Sequence, residues 1–157
     1  MRKERICDGS GFKELNYDPD GRGDLWNAVA NTEQAKIADK LATEAGNLTK
    51  KQFGKNGRSD DSDAFRHAYW SFMMAKKLGV EGAKNIGDGH ETASLRSYYQ
   101  GSDQTDGELL MDLHNNQIGR QLYERYKDSD LPPEKIIMDA LNSGQLQTVP
   151  FKVRLKR

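Results

Sequence analysis

Histidine is the side chain best suited to acid–base chemistry and metal binding near neutral pH, and this chain has three of them. Each lies close in sequence to a carboxylate. His67 follows an aspartate by four residues, and His90 directly precedes Glu91. His114 follows Asp112 by two residues. We therefore predict one polar site assembled from three helices, and we assign its catalytic role to His67, His90, Glu91, Asp112 and His114.

The first of these motifs lies on a predicted helix that is rich in aromatic residues. Asp63 and His67 share one face of it, so the carboxylate can fix the orientation of the imidazole, and Arg66 lies beside the pair. Apolar residues cover much of the remaining surface, which predicts burial on more than one side. A buried charge without a partner is costly, so partners are expected from the other two motifs.

The third motif carries two consecutive asparagines in the middle of a predicted helix. Asparagine is a mediocre helix former, so Asn115 and Asn116 need a reason such as substrate binding or a buried network. His114 falls on an apolar stripe, where a histidine is more often a hydrogen-bonded core residue than a ligand. We predict a substrate-binding set comprising Arg66, Asn115, Asn116 and Arg120.

These residues are compatible with several kinds of site. The five catalytic candidates could instead be the nitrogen and oxygen ligands of zinc or another divalent metal, with a position open for water. Residue 94 is Ser94, so the second histidine of the helical zinc-protease motif is absent. A metal-free alternative is acid–base catalysis with Arg66 or Arg120 as an anion clamp. A structural polar network and a pure binding site also remain open.

Composition limits the classes of function. The chain of 157 residues predicts a single domain with its own core. Lys plus Arg and Asp plus Glu both total 24, so net charge does not favour binding to nucleic acid or to an anionic membrane. Cys7 cannot form an internal disulfide, which fits a reducing compartment or a secreted domain without disulfides. No apolar run predicts a signal peptide or a transmembrane segment in this chain.

The periodicity of apolar residues predicts a mostly α protein, a compact single-domain bundle of about five helices. Glycine or proline marks the ends of most of these helices. The predicted helices are Leu25–Ala45, one that follows the N-cap candidates of Ser59–Asp63 and runs to Leu78, Glu81 to about Leu95, Glu108–Tyr126, and a last one that begins at the prolines after Leu131 and ends at Gly144.

The remaining segments are predicted to be irregular. They are a lead-in over residues 1–23, a flexible basic connector over 47–58, a loop over 98–107 and an extended basic tail over 145–157. The lead-in begins a calcium-loop pattern at Asp18. An EF-hand loop from that position needs a glutamate at residue 29, where the chain has Val29, so we favour an ordinary turn.

The three motifs together resemble a known domain family. Arg66-His-Ala-Tyr-Trp70, His90-Glu91 and Met111-Asp-Leu-His-Asn-Asn-Gln-Ile-Gly-Arg120 are similar to the signature of domains found in bacterial polymorphic toxins and phage-associated proteins. This resemblance implies a C-terminal effector domain of a secreted toxin for interbacterial competition. It also implies delivery into a target bacterial cell and a cognate immunity protein as partner. It implies no particular reaction.

Combining the resemblance with the site residues, we predict a hydrolase toxin, with zinc or another divalent metal as one alternative. Zero net charge favours a phosphoester or ester of a lipid or cell-wall precursor as substrate. The basic connector and tail keep a nuclease toxin as an alternative. A non-enzymatic binding module, whose histidines only brace the core, is the other alternative.

Overall fold

The computed structural model of the protein describes residues 2–7, 12–17, 33–99 and 106–152. Within these ranges helices dominate, which confirms the prediction of a mostly α domain. The elements are β1 (Arg2–Cys7), β2 (Phe12–Tyr17), α1 (Glu33–Phe53), α2 (Asp61–Tyr99), α3 (Asp106–Tyr126) and α4 (Pro133–Asn142).

Two strands lie in the N-terminal region, within the segment predicted to be an irregular lead-in. β1 and β2 pair antiparallel, with Arg2 opposite Tyr17 and Cys7 opposite Phe12. Isoleucine, phenylalanine and tyrosine, which favour strands, occur here on either side of a glycine-containing turn sequence, and this is a hairpin pattern. The calcium-loop candidate at Asp18 lies outside the described residues.

The first helix ends later than predicted, at Phe53. The predicted helix began at Leu25, and the part before residue 33 lies outside the described residues. Gly46 does not stop the helix, because the buried face continues through Ala45 and Thr49, whose hydroxyl donates to the Ala45 carbonyl over 2.8 Å. The stop is Gly54, which has a φ of 69° that favours glycine. Residues 47–53 are therefore helical, and the predicted flexible connector is wrong for them.

The second helix, α2, is broken where the sequence predicted a stop. Gly79 has φ 79° and ψ 160°, which no helical residue adopts. We call residues 61–78 the first arm of α2 and residues 80–99 its second arm. The first arm contributes Phe65 and Phe72 to one apolar cluster and Trp70 and Met74 to another. Its predicted burial on more than one side is confirmed.

Close packing of α2 on α3 sets the position of the polar motifs. A Cβ on Gly119 of α3 would lie 2.2 Å from the carbonyl oxygen of Ala68, so the two backbones touch at this point. Only glycine permits such an approach. As a result, polar residues that lie within two turns of this contact on each helix meet in the interface between α2 and α3.

The C-terminal part of the chain packs back onto α3. The helix α4 starts at the prolines as predicted, and Gly144, with a φ of 75°, follows its end. The amide of Phe151 donates to the carbonyl of Gly107 over 3.1 Å, and the Phe151 side chain is buried. Residues 145–152 therefore clasp α3, and the rest of the predicted tail lies outside the described residues. No helix in the described ranges is long and apolar enough to cross a membrane.

Candidate metal centre

A buried group of one histidine and two aspartates lies in the interface of α2 and α3. The first arm of α2 provides Asp63 and His67, and α3 provides Asp112. The Nε2 atom of His67 lies 3.5 Å from Oδ1 of Asp63 and 3.5 Å from Oδ1 of Asp112. One possible ligand atom from each residue lies within 4.8 Å of the others.

These distances suit a shared cation better than direct hydrogen bonds. A tetrahedral ion with ligands about 2.1 Å away keeps those ligands roughly 3.4 Å apart. A hydrogen bond from an imidazole to a carboxylate is instead about 2.7 to 3.2 Å long. The separations of 3.5 Å are near the first value and beyond the second. Asp63, His67 and Asp112 can therefore hold a metal ion.

The other edge of the His67 ring faces a third carboxylate. Nδ1 of His67 lies 3.6 Å from Oε1 of Glu91, a residue of the second arm of α2 with 1% of its surface exposed. The same oxygen accepts a hydrogen bond from Nδ2 of Asn116 over 3.2 Å and lies 3.4 Å from Nδ1 of His90. Because the ring separates Glu91 from Nε2, Glu91 can orient the imidazole without binding an ion held at Nε2.

The loop before α2 fixes Asp63 from outside the cluster. The amide of Ser59 donates to Oδ2 of Asp63 over 2.6 Å, and Ser59 has a φ of 56°, which is uncommon for a residue other than glycine. Arg66 pairs with Oδ1 of Asp63 and also donates to the carbonyl of Gly57 over 3.0 Å. The Asp63 carboxylate is thus held in place from both of its oxygens, as metal-ligating carboxylates commonly are.

A cavity of about 260 Å³ between α1 and α2 reaches the cluster through His67. Small residues of α1, among them Gly46, form one wall. The α2 wall consists of Arg66, His67, Trp70 and His90. The indole of Trp70 donates to the Ala38 carbonyl over 3.0 Å, which fixes the aromatic side of the cavity. A small molecule in this cavity would meet one guanidinium and two imidazoles on the α2 wall and the acidic residue Asp39 on the α1 wall.

The carboxylates around His67 hold a proton on it. Burial by itself lowers the pKa of His67, but the charges of Asp112, Asp63 and Glu91 outweigh burial and raise that pKa to about 9. Burial also raises the pKa of Asp112, to about 7, with the neighbouring Glu91 and Asp63 charges adding to it and His67 opposing it. Without metal, His67 and Asp112 therefore bind protons more tightly than free histidine and aspartate do.

The remaining titratable groups of the site are shifted toward their charged forms. Burial raises the pKa of Glu91, but His90 and His67 stabilise its charge and lower the pKa overall. Burial also raises the pKa of Asp63, but His67, Ser59 and Arg66 stabilise its charge, so this pKa is lowered overall as well. The hydrogen bond with Glu91 raises the pKa of His90. The His90 side chain is 49% exposed, so a positive charge there faces both the cavity and solvent.

The structure places His114 and Asn115 away from this cluster. Nε2 of His114 lies 3.2 Å from the Gln145 carbonyl oxygen, and its ring packs on Phe151 with centroids 5.8 Å apart. Asn115 donates to the Gln147 carbonyl and accepts from the Gln147 amide, both over 2.9 Å. Both side chains thus fasten the C-terminal segment to α3, and the structure brings only His67 and His90 of the three histidines together.

The Arg120 side chain is more deeply buried than a residue that binds a substrate anion would be. It is 7% exposed, and its Nη2 is 3.8 Å from Oδ1 of Asp88. Asp88 in turn pairs with Lys84, at the surface of the second arm. Burial lowers the pKa of Arg120, although the negative charge of Asp88 acts to raise it. Since Arg120 does not line the cavity, its predicted role as an anion clamp there is not supported by its position.

The predicted and observed members of the cluster overlap in part. Among the described residues, the group that could hold a metal ion contains His67 and Asp112 but not His90, Glu91 or His114. It contains Asp63, which the sequence indicated only as the residue that orients His67. The signal for Asp63 was its position four residues before His67 on one helix face, which suits two ligands as well as it suits a pair.

Comparison with known protein families identifies the family of this chain. A family described as a domain of unknown function, DUF6973, matches residues 25–146, which include every residue of the cluster. No curated protein and no solved structure matches the chain. Because the family match covers most of the chain, this protein belongs to the DUF6973 family.

Proposed function

We propose that the chain is the effector domain of a secreted bacterial toxin and acts as a metal-dependent hydrolase. The observation that supports a hydrolase is the geometry of Asp63, His67 and Asp112. Their possible ligand atoms lie close enough together to bind one metal ion, and the group lies beside a cavity. Three protein ligands leave at least one coordination position for water, as in catalytic zinc sites. The toxin context rests on the resemblance of the three motifs to polymorphic-toxin domains.

The ligand set supplies the chemistry that the proposal needs. One nitrogen and two carboxylate oxygens suit zinc and also manganese or ferrous iron. Such an ion would polarise a phosphoryl or carbonyl oxygen and lower the pKa of a bound water. The protein's own part is to hold Asp63 through Ser59 and Arg66, and to orient His67 through Glu91.

The cavity supports an anionic, small substrate. Two basic residues, Arg66 and His90, line it together with one acidic residue, Asp39. The hydrogen bond with Glu91 raises the pKa of His90, whereas Arg66 is also paired with Asp63 and so attracts an anion less strongly. A cavity of about 260 Å³ has room for one headgroup or one ester group rather than for a folded polymer. A phosphoester of a lipid or cell-wall precursor therefore fits the proposal better than an uncharged ester does.

The nuclease alternative has lost some of its support. It rested on the basic residues of the connector, and two of these have acidic partners. Arg58 pairs with Glu108 over 3.0 Å, and Lys55 pairs with Asp60 over 2.6 Å. Charges that are paired in this way attract a phosphate backbone less strongly. The non-enzymatic binding module is the second alternative, and in it the same cluster would only brace the core.

The test is to express the chain in bacteria and to incubate the purified protein with phospholipid, lipid-linked cell-wall precursor, RNA and plasmid. We expect toxicity and metal-dependent cleavage of a lipid or precursor phosphoester. Both should be lost in Asp112→Asn and retained in Asp139→Asn, a surface change in a pair with Lys135. Cleavage of nucleic acid alone would favour the nuclease. Full toxicity of Asp112→Asn would contradict the hydrolase.

A further inference from the structure

Asn116 of α3 contacts the second arm of α2 at Glu91, next to the candidate metal centre. It lies on α3 one helical turn after Asp112, and it is 0% exposed. Its Nδ2 donates to Oε1 of Glu91 over 3.2 Å. The same Glu91 oxygen is the one that faces Nδ1 of His67 at 3.6 Å. Asn116 therefore touches the cluster through Glu91 and not through the cavity, of which it is not a lining residue.

We propose that Asn116 is a positioning residue of the metal centre. It holds the Glu91 carboxylate facing Nδ1 of His67 at 3.6 Å, where the negative charge keeps the proton on Nδ1 and leaves Nε2 for the ion. This inference rests on the proposed metal centre. It also replaces the substrate-binding role predicted for Asn116. A carboxylate behind a ligating histidine fixes the ring and its tautomer, and such outer partners are known to set metal affinity.

The chemistry of the residue at 116 supports this role. A neutral amide donates to Glu91 without cancelling its charge, as lysine or arginine would. An aspartate there would repel Glu91. The amide also has a cost, because its Oδ1 is buried and has no hydrogen-bond partner among the described residues. A buried acceptor without a partner destabilises a fold, so an apolar residue would serve packing better. The donor to Glu91 accounts for the asparagine.

The neighbouring residue gives a matched control. Asn115 is also 0% exposed and lies on the same helix, but its side chain bonds twice to the backbone of Gln147. Asn115→Ala therefore removes more hydrogen bonds than Asn116→Ala while leaving Glu91 untouched. A merely structural role for both residues predicts that Asn115→Ala is the more harmful change in every assay.

The first experiment measures the affinity of the full chain for Zn²⁺ and Co²⁺ by competition with a chelating dye, together with the Co²⁺ absorption spectrum. We expect Asn116→Ala to bind each ion about 10 to 100 times more weakly, with a changed Co²⁺ spectrum. Asn115→Ala should bind them as the wild type does, whatever its melting temperature. Equal metal affinity of Asn116→Ala and the wild type would overturn the inference.

The second experiment does not depend on metal binding. In the chelated wild type, the Nδ1 proton of His67 should give a slowly exchanging imidazole signal in a ¹⁵N-resolved NMR spectrum, because Nδ1 is buried and faces the Glu91 carboxylate. We expect this signal to be lost or to exchange rapidly in Asn116→Ala and to persist in Asn115→Ala. If the wild type shows the signal but binds no metal, the metal centre fails and the positioning of His67 stands. An unchanged signal in Asn116→Ala overturns the inference.

Discussion

Oδ1 of Asp112 lies 3.5 Å from Nε2 of His67, although the two residues come from different helices. Their meeting depends on the contact of Gly119 with the Ala68 backbone, which draws α2 and α3 together. With Asp63 and Glu91 also close to the ring, three carboxylates surround one imidazole. Such an arrangement must hold a proton on the histidine or bind a metal ion, because the carboxylates would otherwise repel one another in a buried site.

We expect removal of one predicted ligand to weaken metal binding. Asp112→Asn keeps the shape of the side chain but removes its charge. The affinity of this variant for Zn²⁺ should be lower than that of the wild type by roughly 100-fold or more, because losing a ligand weakens metal binding more than losing a residue that only orients a ligand. Isothermal titration calorimetry checks this, with Asp139→Asn as the control for a lost surface carboxylate. Equal affinities of Asp112→Asn and the wild type would count against the ligand set.

Metal should stabilise the folded chain through the same residues. At a free Zn²⁺ concentration 100 times its Kd, the free energy of unfolding should rise by about 2.7 kcal/mol. Thermal melts with and without chelator measure this gain. His67→Gln should abolish it and His114→Gln should keep it, because His114 contacts the C-terminal segment instead of the cluster. A gain that survives His67→Gln would place the ion elsewhere.

Without metal, stability should fall as the pH rises through the range in which His67 titrates. The pKa of His67 is about 9 in the folded chain and 6.5 when unperturbed, so the folded state binds the extra proton between these values. Stability due to this proton is complete below pH 6.5 and is lost as the pH rises through 9. Chelated melts from acidic to alkaline pH check it, and His67→Gln should flatten the decline. A wild type that becomes more stable over this range would contradict the raised pKa.

The close approach of α2 and α3 should make Gly119 intolerant of any side chain. A Cβ there would lie 2.2 Å from the Ala68 carbonyl oxygen, so Gly119→Ala must push the helices apart. We expect a loss of about 1 to 3 kcal/mol in the free energy of unfolding, together with weaker metal binding.

Gly46→Ala is the control for this glycine change. Its Cβ would meet Asn56 at an ordinary 3.6 Å, and alanine in a helix is favoured over glycine by up to about 1 kcal/mol. Urea unfolding measures both variants. Similar stability of Gly119→Ala and the wild type would show that the helices do not depend on this contact.

The sequence predicted the helical class and the break at Gly79 because periodicity and glycine are local signals. It misplaced the end of α1, because whether Gly46 or Gly54 stops the helix depends on what the next turn packs against. Phe53 packs edge-on against Phe65 of α2 with ring centroids 5.4 Å apart, and this contact stabilises the last turn of α1. Such a long-range contact cannot be read from local patterns.

In the site, too, local sequence patterns predicted some residue pairs, while other contacts depend on packing between helices. The pairing of Asp63 with His67 follows from helical spacing, but the side of α3 that faces α2 is set by the Gly119 contact. That contact turns Asp112 toward His67 and Asn116 toward Glu91. His114 and Asn115 instead hold the C-terminal segment. The polar residues of the third motif were therefore recognised as a group, but their separate roles needed the structure.

The most direct test of the metal centre is a crystal structure of the chain grown with Zn²⁺ or Mn²⁺, with diffraction data collected on both sides of the metal absorption edge. We predict one anomalous peak within about 2.0 to 2.2 Å of Nε2 of His67 and of a carboxylate oxygen from each of Asp63 and Asp112. A peak at any other position, or an imidazole hydrogen-bonded directly to these carboxylates with no peak, would contradict it.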